Sequence, residues 1–106
     1  MITLPVNDIL YFEIPDTRKI SIKTLTKEFQ FNGRMAEIDD RLSDVGFLRI
    51  HQAYLINFDY IKTMDFKQVI MQDDRVFNVS GARRTEVRVQ YMLLRQRKEE
   101  SDWLPL

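Results

Sequence analysis

Between Phe47 and Val79 the chain runs through five short segments rich in β-branched and aromatic residues: Phe47 to Ile50, Tyr54 to Asn57, Ile61 to Met64, Val69 to Met71 and Arg75 to Val79. Side chains of this kind suit a pleated, half-buried surface, and so short a run has the length of a strand. Asp73-Asp74 supplies the turn of a terminal hairpin. This stretch commits the fold to a mostly β class.

The residues before it read partly the same way. Ile9-Leu10-Tyr11-Phe12 is a short apolar run, and Ile20, Ile22 and Thr24 alternate with Ser21, Lys23 and Leu25. Pro15-Asp16-Thr17-Arg18 carries turn chemistry between them. Phe29 and Phe31 share one face with Gln30 opposite, after which Asn32-Gly33 breaks the strand as a hairpin turn or as the start of a helix. The next residues favour the helix. Met35, Ile38, Leu42 and Val45 recur at three- and four-residue spacing with Glu37, Asp39, Asp40, Arg41 and Asp44 between them, and Gly46 marks the end. A second helix is predicted from Ser80, whose hydroxyl suits a cap, with Val87, Tyr91 and Leu94 as its apolar stripe. It is expected to fray at Glu99-Glu100-Ser101-Asp102, before a Trp103-Leu104-Pro105-Leu106 tail that is free to dock back onto the domain.

With 106 residues, 44% hydrophobic and 30% charged, the composition is that of one globular domain, with no room for a second. The absence of cysteine excludes disulfides, thiolate-bound metals and thiol nucleophiles. No apolar stretch is long enough for a bilayer, and Met1-Ile2-Thr3-Leu4-Pro5 lacks the basic start and apolar centre of a signal peptide. A cytoplasmic location, away from any membrane, is the expectation. Sixteen Lys and Arg balance sixteen Asp and Glu over the whole chain. The balance fails along the second helix, where Arg83, Arg84, Arg88, Arg95, Arg97 and Lys98 are set against Glu86 alone.

Catalytic and metal chemistry finds little to work with. A hydrolytic triad would have to use His51, the single imidazole. Asp39-Asp40 and Asp73-Asp74 lack the alternating ligands and central glycine of a calcium loop, so they read as solvated acids. Gly33, Gly46 and Gly81 are isolated, which leaves no phosphate loop. No enzyme, metal site or cofactor is expected.

The segment Phe47-Leu48-Arg49-Ile50-His51-Gln52-Ala53-Tyr54-Leu55-Ile56-Asn57 resembles the central signature of LytTR DNA-binding domains, the effector domains of LytR/AlgR-type response regulators. That signature is an F-x-R-x-H strand followed by a small residue, an aliphatic pair and an Asn. Asp8-Ile9-Leu10-Tyr11-Phe12-Glu13 is similar to the family's opening strand, Ile61 fits its next strand, and Asp73-Asp74 with Phe77-Asn78-Val79-Ser80 is similar to its final hairpin and helix start. The resemblance covers residues 5–97, so one domain over residues 1–98 and a tail over 99–106 are expected. It implies stacked antiparallel sheets with one short central helix and a C-terminal helix. It also implies duplex DNA binding through loops at direct repeats, occupied by two copies, in a regulator whose receiver domain this chain is too short to include. Ala53 stands where the family commonly has Ser, Gln52 where Arg, Lys or Asn is common, and Gly81-Ala82 follow Ser80 where an Arg often comes directly. A different sequence preference is therefore expected.

Three segments are candidates for DNA contact. Arg18 and Lys19 follow the first turn, where the family places a groove-entering loop. His51 and Gln52 sit where a strand gives way to the next element; Gln can bond adenine bidentately, and His a base edge or phosphate. Arg49 beside them is expected to be consumed by an internal acid. Ser80, Arg83 and Arg84 begin the last helix, where free N–H groups and a cap hydroxyl suit phosphate and an arginine can reach guanine, Arg83 before Arg84. Arg95, Arg97 and Lys98 read as cations favoured by a helix C-terminus. The aromatics Tyr11, Phe12, Phe29, Phe31, Phe47, Tyr54, Phe58 and Phe77 read as core rather than as a stacking platform. The competing function is an all-β protein-interaction module using an exposed edge strand or the Trp103 tail. Convergence of Arg18, Gln52 and Arg83 on one surface separates the two.

Overall fold

A computed structural model describes residues 3–15 and 18–101, so Asp16, Thr17 and the expected Trp103 tail lie outside the described residues. Strands β1 (Ile9–Glu13), β2 (Ile20–Thr24) and β3 (Glu28–Phe31) are followed by helix α1 (Met35–Leu42). Strands β4 (Phe47–His51), β5 (Tyr54–Asn57), β6 (Ile61–Met64), β7 (Gln68–Met71) and β8 (Val76–Asn78) then lead to helix α2 (Arg84–Ser101). The strands form a five-stranded sheet in the order β3-β2-β1-β5-β4 and a three-stranded sheet in the order β6-β7-β8. Every pairing is antiparallel. The expected mostly β architecture is the one observed.

The larger sheet is buried on both faces, which explains why β1 reads as a solid apolar run rather than an alternation. On one side Ile9, Phe12, Phe47 and Leu55 pack with Met35 of α1, and Ile38 and Leu42 border the cluster. On the other, Leu10, Tyr11, Leu48, Ile50 and Ile56 meet Val69, Met71 and Phe77 of the smaller sheet, together with Val79 and Val87. A register shift between Ile9 and Tyr11 accounts for Leu10 and Tyr11, neighbours in sequence, sharing one core. Each fully buried large apolar side chain contributes about 1.5–3 kcal/mol, so this double-sided sheet is the rigid platform on which the loops sit. Asn57 is buried within it. Its amide donates to the Ile9 carbonyl at 2.8 Å and accepts from the Asp59 N–H at 3.0 Å, which ties β5 to the start of β1.

Helical details depart from the expected pattern. The first helix ends at Leu42 and tightens into a 3-10 turn over Ser43–Val45, closed by Gly46 at φ 102°. Tightening to three residues per turn rotates Val45 off the apolar stripe, and it is 57% exposed. The Ser80 hydroxyl caps nothing. A 3-10 turn over Gly81–Arg83 precedes α2, closed by the Arg83 N–H donating to the Ser80 carbonyl at 3.0 Å. Nor does α2 fray at Glu99: it runs to Ser101, with an Arg95–Glu99 pair at 3.5 Å one turn apart. Among the described residues no helix is long and apolar enough to cross a membrane.

Candidate nucleic-acid interface

Backbone hydrogen bonds bring the three candidate segments to one end of the larger sheet. Glu13, the last residue of β1, pairs with Ser21 on one side and Tyr54 on the other. The β1–β2 connection carrying Arg18 and Lys19 therefore lies at the same end as the β4–β5 turn carrying His51 and Gln52. One further bond joins them directly, from the Ile14 N–H to the Ala53 carbonyl at 3.0 Å. The Ser80 N–H donates to the Ile50 carbonyl at 2.8 Å, which sets the start of the last helical segment beside the C-terminal end of β4.

The β4–β5 turn is braced from within. Arg49 donates from Nη2 to the Gln52 carbonyl at 2.9 Å, so its partner is a peptide oxygen across the turn and not the acid expected for it. Its Nε is buried without a partner. The Ala53 N–H donates to His51 Nδ1 at 3.0 Å, which makes Nδ1 an acceptor and leaves Nε2 to carry the proton of the neutral ring. The imidazole lies 4.8 Å from the Tyr54 ring, Tyr54 lies 4.7 Å from Phe77, and Phe77 lies 4.9 Å from Tyr11. A row of rings thus roots His51 in the core. Gln52 is exposed, and its side-chain amide has no hydrogen-bond partner among the described residues, so both its donor and its acceptor are available.

The other two segments differ in how they are held. Arg18 and Lys19 are both exposed. The Arg18 N–H donates to the Pro15 carbonyl at 3.0 Å, and Arg18 adopts φ 64°, a left-handed conformation uncommon for a residue with a side chain. Ser80 and Arg83 are half-buried, whereas Arg84 is exposed as the first residue of α2. Gly81-Ala82 form the added 3-10 turn and carry both arginines one turn past Ser80. Because the hydroxyl of Ser80 makes no cap bond, it is left over for another acceptor or donor.

Acids shape this end as well. Glu13 is held by Arg75 in a two-point contact at 2.7 and 3.3 Å, which neutralises the carboxylate at the end of β1. Asp73 accepts from Tyr11 Oη at 2.8 Å and from the Arg75 N–H at 3.1 Å, and Asp74 pairs with Lys62 at 2.8 Å. Burial, then the bond to Asp73, push the Tyr11 phenol well above its ordinary range and keep it a donor. Asp39 on α1 is half-buried and feels Arg49 and Arg83, and burial holds its carboxyl above the ordinary value. It is therefore not the solvated acid expected of the Asp39-Asp40 pair. A signal for this was present in the sequence, since Asp39 stands four residues after Met35 and three before Leu42, within the apolar stripe itself.

Elsewhere the basic helix is occupied with structure. Arg88 lies 4.7 Å over the Phe66 ring, and Phe66 packs edge-on against Tyr91 at 5.4 Å. Phe66 itself adopts φ 68° in the β6–β7 turn, strained for an aromatic residue and held by this packing. Arg97 and Lys98 line a cleft with Asp44 and Asp59 beside the last turns of α2. Tyr11, Phe12, Phe47 and Phe77 are buried, and Phe29, Phe31, Tyr54 and Phe58 half-buried. Among the described residues no cluster of acids and imidazole has the arrangement of a metal site.

No curated protein sequence matches the chain. Among solved structures it is similar to one described as the LytTr DNA-binding domain of a putative methyl-accepting/DNA response regulator from Bacillus cereus. The two are 19% identical with a TM-score of 0.74, over 84% of this chain and 85% of that one. At such identity the likeness concerns the fold. The family model for the LytTr DNA-binding domain matches residues 1–92, from β1 through the first half of α2 and across all three segments gathered at the sheet end. On that match the chain belongs to the LytTR family of DNA-binding domains.

Proposed function

We propose that this chain is the sequence-specific duplex-DNA-binding module of a bacterial response regulator of transcription, reading the major grooves of direct repeats through loops. The observation that carries it is the pair of backbone bonds, Ile14 to Ala53 and Ser80 to Ile50, that gather three polar segments at one end of a rigid sheet. Gln52 and His51 contact bases from the braced turn; Ser80, Arg83 and Arg84 hold phosphate or guanine; Arg18 and Lys19 hold the neighbouring backbone. The reading needs no catalysis, metal or cofactor. Two copies occupy adjacent repeats as a homodimer on DNA, in the cytoplasm, with a receiver domain supplied from outside this sequence. The proposed unit comprises residues 1–98, with 99–106 as its tail; among the described residues Leu94 is the last α2 side chain packed on the core.

The test is fluorescence anisotropy across a salt series, using duplexes selected from a random pool and scrambled controls. The expected result is tighter binding to the selected repeat that persists at physiological salt. Equal, salt-erased binding to every duplex would sink the reading and turn attention to β3, the edge strand of its sheet, whose Phe29 and Phe31 border an apolar groove with Leu4 and Ile22.

A further inference from the structure

Edge strands usually carry devices that prevent another strand from adding to them, and β3 has few of these. It holds neither a proline nor a lysine. Its pairing with β2 keeps one register from Ile20–Phe31 to Lys23–Glu28, whereas the β1–β2, β4–β5 and β6–β7 pairings all shift. The Thr24 N–H donates to the Lys27 carbonyl at 2.8 Å, which sets the alternation of the ladder. The backbone groups of Phe29 and Phe31 then face β2, and those of Glu28 and Gln30 face outward. Among the described residues no further backbone bond reaches these outward groups. Glu28, Gln30 and Asn32 are exposed, while Phe29 and Phe31 are half-buried beside Leu4 and Ile22.

We propose that β3 is a self-association edge: two copies of this chain pair β3 antiparallel about a two-fold axis at Gln30, joining their five-stranded sheets into one. The occupant follows from the pattern of the strand. Glu28-Phe29-Gln30-Phe31-Asn32 reads polar, Phe, Gln, Phe, polar in either direction, so the edge is its own complement under a two-fold. Centred on Gln30, Phe29 stands opposite the partner's Phe31 and Phe31 opposite the partner's Phe29, which brings the two apolar grooves together. Centred on Phe29 or on Phe31, only one ring of each copy meets a ring. The outward backbone groups of Gln30 are also those that a central bonded pair requires. Glu28 then lies opposite the partner's Asn32 and diagonal to the partner's Arg34, which is exposed and still extended before α1. This charge match occurs twice, and no like charges stand directly opposite.

The pairing fixes where the DNA-facing ends point. Phe31 pairs with Ile20, so β3 finishes at the end of the sheet where the three polar segments gather. A two-fold that reverses β3 turns those ends in opposite directions. The pair can therefore hold two separate duplexes, one at each end, but not adjacent repeats on one short, stiff duplex. Tandem occupancy of repeats competes with it. That consequence rests on the DNA-binding reading above, whereas the pairing itself does not.

The experiment is analytical ultracentrifugation of the full chain without DNA, from micromolar to near-millimolar concentration, for wild type, Gln30→Lys and Gln30→Glu. Gln30 is exposed and its side chain has no hydrogen bond among the described residues, so thermal melts should show all three equally folded. Wild type is expected to approach the dimer mass as concentration rises. Each variant alone should need severalfold more protein to do so, because like charges meet across the axis, and an equimolar mixture of the two should recover the dimer. A wild type that stays monomeric throughout, or a mixture no more associated than either variant alone, overturns the pairing. With DNA added, an immobilised duplex loaded with wild type is expected to capture a second, labelled duplex, and one loaded with Gln30→Lys to capture severalfold less. A dimer that binds duplex yet captures no second one overturns the opposed geometry. A dimer that binds no duplex upholds the pairing and removes the DNA-binding reading instead.

Discussion

The β4–β5 turn and the β1–β2 connection meet at one end of the sheet but are built on different terms. The turn is held by the Arg49 brace, by the His51–Ala53 bond and by the Ile14–Ala53 bond, and its imidazole is stacked into the aromatic core. Arg18 and Lys19 are exposed side chains on a connection that, among the described residues, is held by the Ile14–Ala53 bond and by the Arg18 N–H donating to the Pro15 carbonyl. Reading a base edge demands a donor and an acceptor in fixed places, whereas holding phosphate demands only charge within reach. The braced turn is thus suited to specificity and the exposed cations of the connection to attraction. A side chain already fixed before binding also loses less entropy on contact.

Gln52→Ala tests the rigid half and carries the largest effect. It removes an exposed amide without hydrogen-bond partners among the described residues, so the melting temperature is expected to change little. Affinity for the selected repeat falls about 10- to 100-fold, the discrimination of one bidentate base contact at roughly 1–3 kcal/mol, with scrambled duplex unaffected. Unchanged affinity in a folded Gln52→Ala protein would move base reading away from the turn.

Arg49→Met sharpens the same point from inside. Methionine keeps much of the stem's packing while removing the donor to the Gln52 carbonyl and the partnerless Nε. Losing the bond costs about 1 kcal/mol, offset in part by no longer burying an unsatisfied polar group. Specific affinity is expected to fall about tenfold, because the turn is no longer fixed. A double-mutant cycle with Gln52→Ala should show the two losses to be less than additive. Strict additivity would mean that Arg49 touches DNA on its own account.

Which of these features the sequence displayed depends on the distance over which each one is written. Strands β5 and β6 match their expected bounds because a run of β-branched and aromatic residues is a local signal. The F-x-R-x-H pattern likewise marks the end of β4, where the candidate residues His51 and Gln52 stand. Val45 was misplaced because nothing local distinguishes a fourth helical stripe position from a 3-10 turn that rotates it outward. Arg49 was assigned an acid because a backbone carbonyl three residues on leaves no mark in composition. Phe66 in a left-handed conformation depends on Arg88 and Tyr91 from a distant helix, and Asp39 depends on α1, β4 and α2 meeting. Such features exist only once separate elements have packed.

Arg18→Gly tests the cationic half with opposite signs for folding and binding. Glycine accepts φ 64° without the steric cost that a side chain incurs, so stability is expected to rise or hold, by up to about 1 kcal/mol, even though glycine has more unfolded freedom to lose. Affinity falls severalfold on selected and scrambled duplexes alike. A loss confined to the selected repeat would show Arg18 reading a base, and the division of labour between the two segments would fail.

Lys19→Ala carries the smallest effect and isolates the purely electrostatic one. Lys19 is exposed and has no hydrogen bond or ion pair among the described residues, so stability should not change. If its ammonium neutralises one phosphate, the plot of log affinity against log salt flattens by about 0.9. Between roughly 50 and 200 mM salt that slope amounts to about a three- to fourfold difference in how far affinity drops. The flattening should be the same for selected and scrambled duplexes, since every phosphate is alike. A slope that stays put would place Lys19 off the DNA path, leaving Arg18 as the only cation the β1–β2 connection contributes.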